Sequence, residues 1–178
     1  SPNYAREICE SPGGMGLEGL LRQRREHLVG ILNGIDSAVW NPATDPHLAQ
    51  RYSEQSLDDK LSNKNALQAR LGLAVGNERP LLGLVGRLVA QKGLELILPV
   101  LDEILALPVQ LAVLGTGESR YEQLLQARAA TSPDTMAVVL AYDENLAHGI
   151  EAGADIFLMP SLFEPCGLNQ LYSLRYGT

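Results

Sequence analysis

Cysteine is scarce: Cys9 and Cys166 are the only two in 178 residues. They are too few and too far apart for a disulfide framework or a zinc site, and a reducing compartment is expected. Aromatic residues make up 5% of the chain, with a single tryptophan. No apolar run approaches the roughly 20 residues of a bilayer-spanning helix, so no membrane partner is expected. Positive charge is in deficit, with 14 Lys and Arg against 21 Asp and Glu and a formal net charge of −7. Such a surface repels phosphate polymers and argues against a nucleic-acid partner. Small anions remain compatible wherever cations or backbone N–H groups converge. The start, Ser1-Pro2-Asn3-Tyr4, has no basic or apolar region of a signal peptide and no initiating Met. The chain stops at Arg175-Tyr176-Gly177-Thr178, directly after an expected helix, so both ends read as cuts inside a longer protein. What is present, 46% hydrophobic and 20% charged residues, fits one soluble globular domain or one domain plus a flanking piece.

Residues 1–30 differ from the rest. A short stretch over 4–9 leads into a glycine-rich segment, 11–16, and then a charged stretch with Arg22, Arg24, Arg25 and Glu26. Gly14, Gly16 and Gly19 satisfy the pattern GxGxxG, but a dinucleotide loop needs a buried strand before it. Arg6-Glu7-Ile8-Cys9-Glu10-Ser11-Pro12 is not one, and a flexible surface loop is expected. Residues 41–78 read as a helical connection, with an amphipathic segment over 60–71 ending at Gly72. From Leu81 onward the pattern alternates. Continuous apolar runs predict strands over 81–86, 109–114, 136–141 and 155–159. Helical spacing predicts a helix over 94–105 kinked at Pro99, then helices around 121–128, 143–152 and 168–176, the last capped by Gly177. The order βαβαβαβα predicts an α/β fold, a Rossmann-like doubly wound parallel sheet, with ligands beyond the carboxyl ends of the strands.

Candidate function therefore sits in the segments that follow strands. After the first come Arg87 and Lys92, two cations beside a helix start that suit a diphosphate, or else two solvated loop charges. After the third comes Tyr142-Asp143-Glu144, where Tyr142 could stack on a base or belong to the core or rim, and Asp143 caps the next helix. After the fourth comes Pro160-Ser161-Leu162-Phe163-Glu164-Pro165-Cys166-Gly167-Leu168-Asn169. Glu164 would project over the crevice with the amides near Gly167 and Leu168, unless this is a proline-rich turn with a capping acid. Cys166 has no nearby His, which argues against a nucleophilic thiol. His27, His47 and His148 lack metal-ligand spacing and read as surface or structural residues, with His148 inside the third sheet-region helix. Trp40 reads as a packing anchor.

Six stretches in register resemble one family, the bacterial glycogen synthases and plant starch synthases. They are Ser1-Pro2-Asn3-Tyr4-Ala5-Arg6-Glu7-Ile8, Gly30-Ile31-Leu32-Asn33-Gly34-Ile35-Asp36, Trp40-Asn41-Pro42, Gln91-Lys92-Gly93, Tyr142-Asp143-Glu144 and Phe163-Glu164-Pro165-Cys166-Gly167-Leu168. The resemblance covers nearly the whole chain. It departs at Leu162, where an Arg often stands, and at Asn169, where Thr is common.

The resemblance implies the two-domain GT-B fold, with residues 1–30 as the tail of the acceptor domain plus linker. Residues 31–178 would be a nucleotide-sugar-binding domain, incomplete at its C-terminal end. It implies a retaining hexosyltransferase that moves glucose from ADP-glucose to the non-reducing end of an α-1,4-glucan, with no metal or other cofactor. By the same likeness Arg87 and Lys92 hold the diphosphate, Tyr142 stacks on adenine and Glu164 faces the donor sugar. Backbone at Cys166, Gly167 and Leu168 contacts the sugar and the distal phosphate, and Asn169 keeps a main-chain phosphate contact. The glucan would be held through the family's N-terminal domain, and the 178 residues alone are expected to be inactive. The location implied is the bacterial cytoplasm, or the plastid stroma for a plant enzyme. A UDP-sugar-dependent retaining GT-B transferase and a non-catalytic nucleotide-binding module are the alternatives. Many GT-B enzymes carry a second Glu eight residues after the first; Tyr172 stands there, which favours the synthases over the UDP-sugar group.

Overall fold

The computed structural model describes all 178 residues, which divide into two compact units. The first comprises Ser1–Ile35 with Phe163–Leu168, the second Asp36–Leu162 with Asn169–Thr178.

In the first unit, Pro2–Glu7 forms helix α1. The Ser1 hydroxyl accepts the Tyr4 N–H at 3.2 Å, and Pro2 stands at the start, where its missing N–H costs no hydrogen bond. Glu18–Gln23 forms α2 and Arg25–His27 a 3-10 turn, so a segment read from sequence as loop and charged stretch is partly helical. Neither helix buries a residue. The glycine-rich segment is mostly exposed turns, with Gly14 buried. What precedes it is α1 rather than a strand, so the dinucleotide-loop geometry is absent.

In the second unit, α3 (Lys60–Leu71) follows a 3-10 turn, Leu57–Asp59. The expected helical connection is confined to these residues; turns and bends occupy 37–56. Then come strand β1 (Leu81–Val85), helices α4 (Leu94–Ile97) and α5 (Leu101–Ala106), β2 (Gln110–Leu114) and α6 (Ser119–Thr131). The chain continues through β3 (Met136–Val139), α7 (Glu144–Gly153), β4 (Ile156–Phe157) and α8 (Leu168–Tyr176). Pro99 divides the expected helix rather than only kinking it. Its missing N–H interrupts the ladder, and Leu98–Val100 tightens into a 3-10 turn between α4 and α5. Helices α3 and α8 both end on a left-handed glycine, Gly72 at φ 72° and Gly177 at φ 68°. The next N–H reaches back in each case, Leu73 to Gln68 O and Thr178 to Ser173 O, both at 2.9 Å.

The strands form one parallel sheet in the order β3-β2-β1-β4. Alternate side chains enter separate cores. Leu82, Leu84, Leu111 and Val113 pack with Leu94, Ile97, Leu101, Tyr121 and Leu125. Leu81, Ala112 and Leu114 pack with Leu67, Leu146, Ile150 and Ala154. Both faces are covered, which is why the strands read as continuous apolar runs. β4 is shorter than expected and pairs with β1 at Ile156 and Phe157. The chain runs outward from β1 to β2 and β3, then crosses to the other side of β1 for β4. That reversal is the place where sheets of this kind bind ligands.

Candidate functional site

A cavity of about 330 Å³ opens at the carboxyl ends of β1, β2 and β3. Its lining comes from Val85-Gly86-Arg87 after β1, Leu114-Gly115-Thr116 after β2 and Ala141-Tyr142-Asp143 after β3. Glu144, Ala147 and Glu151 of α7, Asn169 and Tyr172 of α8, and Trp40 complete it. The loops after β1 and β2 stay paired beyond the strands: Gly86 N–H donates to Leu114 O at 3.0 Å and Leu88 N–H to Thr116 O at 2.9 Å. Gly115 permits this approach, since a Cβ there would lie 1.8 Å from Gly86 O. The cavity edge is therefore backbone held by hydrogen bonds on both sides.

Of the residues singled out by sequence, Arg87, Tyr142 and Asn169 meet on this lining. Arg87 is exposed, with a long 3.4 Å bond from its guanidinium to Gln91 Oε1. The Tyr142 side chain is 94% exposed, a free ring at the mouth rather than a core residue. Asp143 caps α7 as expected, its Oδ1 accepting the Leu146 N–H at 2.8 Å, and pairs with Arg70 at 2.8 Å. Asn169 Nδ2 donates to Val85 O at 2.8 Å and ties α8 to the end of β1. Lys92 is half-buried and lies beside the β1 loop, its Cε 4.0 Å from the place a Cβ on Gly86 would take. Glu164, Cys166, Gly167 and Leu168 fall in the first unit. There Glu164 and Cys166 are half-buried, Gly167 is buried at φ 76°, and the Ser1 N–H donates to Pro165 O at 3.2 Å.

Sequence reasoning missed the cavity's aromatic side. Asp36 Oδ1 accepts the N–H groups of Ala38 and Val39 at 2.9 and 3.3 Å, a turn that delivers Trp40. The indole lies between His148 and Tyr172, each with ring centroids 3.8 Å away and planes within 12° of parallel. Trp40 is thus a packing anchor, and it also lines the cavity. His148 is fully buried and not part of the lining, a structural residue as expected. Its Nδ1 donates to Asp45 Oδ2 at 2.6 Å, the Tyr176 hydroxyl donates to the same oxygen at 2.5 Å, and the His47 N–H donates to Asp45 Oδ1 at 2.8 Å. Burial pushes the Asp45 carboxyl up, but the bonds from Tyr176, His47 and His148, with the His148 charge, hold it below its ordinary value. No periodicity announces this cluster, because its members lie on three segments far apart in the chain.

Glu151 also lines the cavity while being 2% exposed. Its Oε2 accepts the Ser173 hydroxyl at 2.7 Å, and Lys60 Nζ donates to the Glu151 and Ala152 carbonyls at 3.3 and 2.8 Å. Burial pushes the Glu151 carboxyl up to about 7, against the Ser173 bond and the Lys60 charge, and pulls Lys60 down to about 8. A folded-state value above the ordinary 4.5 means that the native state holds a proton the unfolded chain has released. That contribution to stability is complete below pH 4.5 and is lost as pH rises to about 7. Glu151→Gln should therefore gain about 3 kcal/mol relative to the parent across that window and nothing further above it, measured by urea unfolding at a series of pH values. A constant difference between the two proteins would contradict the assignment.

No helix is long and apolar enough to cross a membrane. The comparisons agree with the fold. A glycogen synthase from Aromatoleum aromaticum is 59% identical over the whole chain, and glycogen synthase 1 from Methylococcus capsulatus is 56% identical. The chain spans only 36% of either protein. The catalytic domain of starch synthase IV from Arabidopsis thaliana, solved with ADP and acarbose, superposes with a TM-score of 0.93 at 41% identity. It covers all of this chain, which covers 37% of that one. The C-terminal domain of a group 1 glycosyl transferase from Francisella tularensis, at 17% identity, shares the fold alone. Its TM-score is 0.54, over 80% of this chain and 66% of that domain. The α/β Rossmann-like sheet is that of a GT-B transferase. Residues 69–178 match the model of the glycosyl transferases group 1, and the chain belongs to that family.

Proposed function

We propose that the chain carries the donor-nucleotide side of a retaining glucosyltransferase of the glycogen- and starch-synthase kind, using ADP-glucose to extend an α-1,4-glucan in the bacterial cytoplasm. The observation that carries this reading is the cavity beyond β1, β2 and β3, lined by Arg87 and the exposed Tyr142. A nucleoside diphosphate joins a flat base to two adjacent anionic groups, which asks for one stacking ring and convergent cations. Tyr142 takes the base, and Arg87 and Lys92 take the diphosphate. That the starch synthase IV domain was solved with ADP and acarbose supports a nucleotide and glucan reading at the level of ligand class.

In this reading the bond from the sugar's anomeric carbon to the diphosphate breaks and charge develops on ADP. Arg87 and Lys92 stabilise that charge, and no metal is assigned. The new bond forms on the same face to the acceptor hydroxyl, whose proton passes to the leaving phosphate. Glu164 with backbone at Cys166, Gly167 and Leu168 is assigned to the donor sugar, and the Asn169 backbone to the distal phosphate. The glucan would be held by a further domain of a protein of the relatives' length.

Calorimetric titration with ADP and UDP tests the proposal. ADP is expected to bind more tightly, and Tyr142→Ala to weaken it by about 1 kcal/mol through lost stacking. Preference for UDP would reassign the chain to the UDP-sugar transferases, and no heat with either nucleotide would leave a non-catalytic module.

A further inference from the structure

Trp40 lines the cavity although both faces of its indole are already covered. A ring stacked on both sides can neither tilt nor offer a face, so it meets an occupant with its edge. The edge of an aromatic ring is the positive rim of its quadrupole, suited to the lone pairs of a base or ribose. The ring behind it is oriented in turn. His148 is held through Nδ1 by Asp45, which also receives the Tyr176 hydroxyl, and Tyr176 meets Trp40 edge-on at 6.1 Å. His148 Nε2 is buried with no hydrogen-bond partner. A buried nitrogen without a partner is costly, and packing alone does not ask for one. Histidine nevertheless joins what no purely apolar ring offers, a flat stacking face with an N–H aimed at a carboxylate.

Resting on the nucleotide reading above, we propose that the Trp40 edge is a contact wall for the nucleoside. His148, braced by Asp45 and Tyr176, is a positioning residue that acts through Trp40. All five aromatic and acidic members, Tyr172 included, lie in the second unit.

Trp40 is the sole tryptophan, so its emission reports this wall without a label. ADP is titrated into the 178-residue chain while heat and Trp emission are followed together. A saturable emission change with the same midpoint as the heat is expected. Trp40→Ala and His148→Ala should each weaken ADP binding about 5–30-fold. Trp40→Phe, which keeps a flat ring between Tyr172 and His148, should recover most of it. Thermal melts confirm that each variant is folded. Should the His148 variant not fold, Tyr172→Leu removes the other stacking face while leaving Asp45, His148 and Tyr176 in place, and a similar weakening is expected. Heat from ADP with unchanged Trp emission, or folded variants that bind like the parent, would overturn this inference and leave the nucleotide reading standing. No heat from the parent would overturn both.

Discussion

Asp45→Ala is expected to lower the free energy of unfolding by about 3–5 kcal/mol, the cost of leaving the hydrogen-bonded partners of a buried carboxylate unpaired. Asp45 is 1% exposed and accepts from three donors, His148 Nδ1, the Tyr176 hydroxyl and the His47 N–H. Alanine strands all three in a place water does not reach, next to a His148 Nε2 that already has no partner. Solvent cannot compensate, so the loss is the desolvation penalty of several groups rather than the small net value of one hydrogen bond. The carboxyl is held below its ordinary 3.8, so its contribution is complete above that pH and disappears as acid protonates it. Asp45→Asn keeps an acceptor oxygen and should lose less, about 1–3 kcal/mol. Urea unfolding at neutral pH and at pH 3 checks both. A loss within about 0.5 kcal/mol for the alanine variant would mean that the network carries no stability.

The paired replacement of Arg87 and Lys92 by alanine is the largest functional effect expected, a fall in ADP affinity of about 10²–10⁴-fold. It follows from two charge-assisted contacts of about 1.5–3 kcal/mol each. Arg87 carries no ion pair, only the long bond to Gln91, so its guanidinium can turn to a ligand without breaking a strong contact. Lys92 sits against the same β1 loop. Lys92→Ala alone should cost about 1–3 kcal/mol. The discriminating control is AMP. If these side chains address the diphosphate, the affinity gap between ADP and AMP should shrink in the double variant, while adenosine binding stays as in the parent. Calorimetry with all three ligands reads this directly. An equal loss for adenosine would show that the substitutions had deformed the cavity, and unchanged ADP affinity would remove both residues from the site.

Most of the layered fold was legible along the chain because its determinants are local. Apolar runs bounded by glycine marked β1 and β2, the 3.6-residue spacing marked α6 and α7, and Gly72 and Gly177 marked the ends of α3 and α8. The errors arose where a neighbour decides the outcome. β4 is only two residues long, paired with β1, and the segment through Pro99 breaks into pieces because a missing donor has no local substitute. The short helices α1 and α2 were invisible for a related reason. They bury no residue, so they leave no apolar stripe to detect.

By itself, the order of residues determined that strands and helices alternate into a parallel sheet. It also determined that Arg87 and Tyr142 follow strands and so stand at the carboxyl end of that sheet. Those are consequences of periodicity and chain direction, which a linear pattern carries in full. Only the tertiary structure decided that Trp40 is gripped between His148 and Tyr172, and that Asp45, His148 and Tyr176 share one buried carboxylate. It alone decided that Glu151 is driven toward neutrality beside the cavity. Stacking, shared hydrogen bonds and desolvation depend on distance in space, and residues 45, 148 and 176 come within bonding distance only after the sheet has brought their segments together.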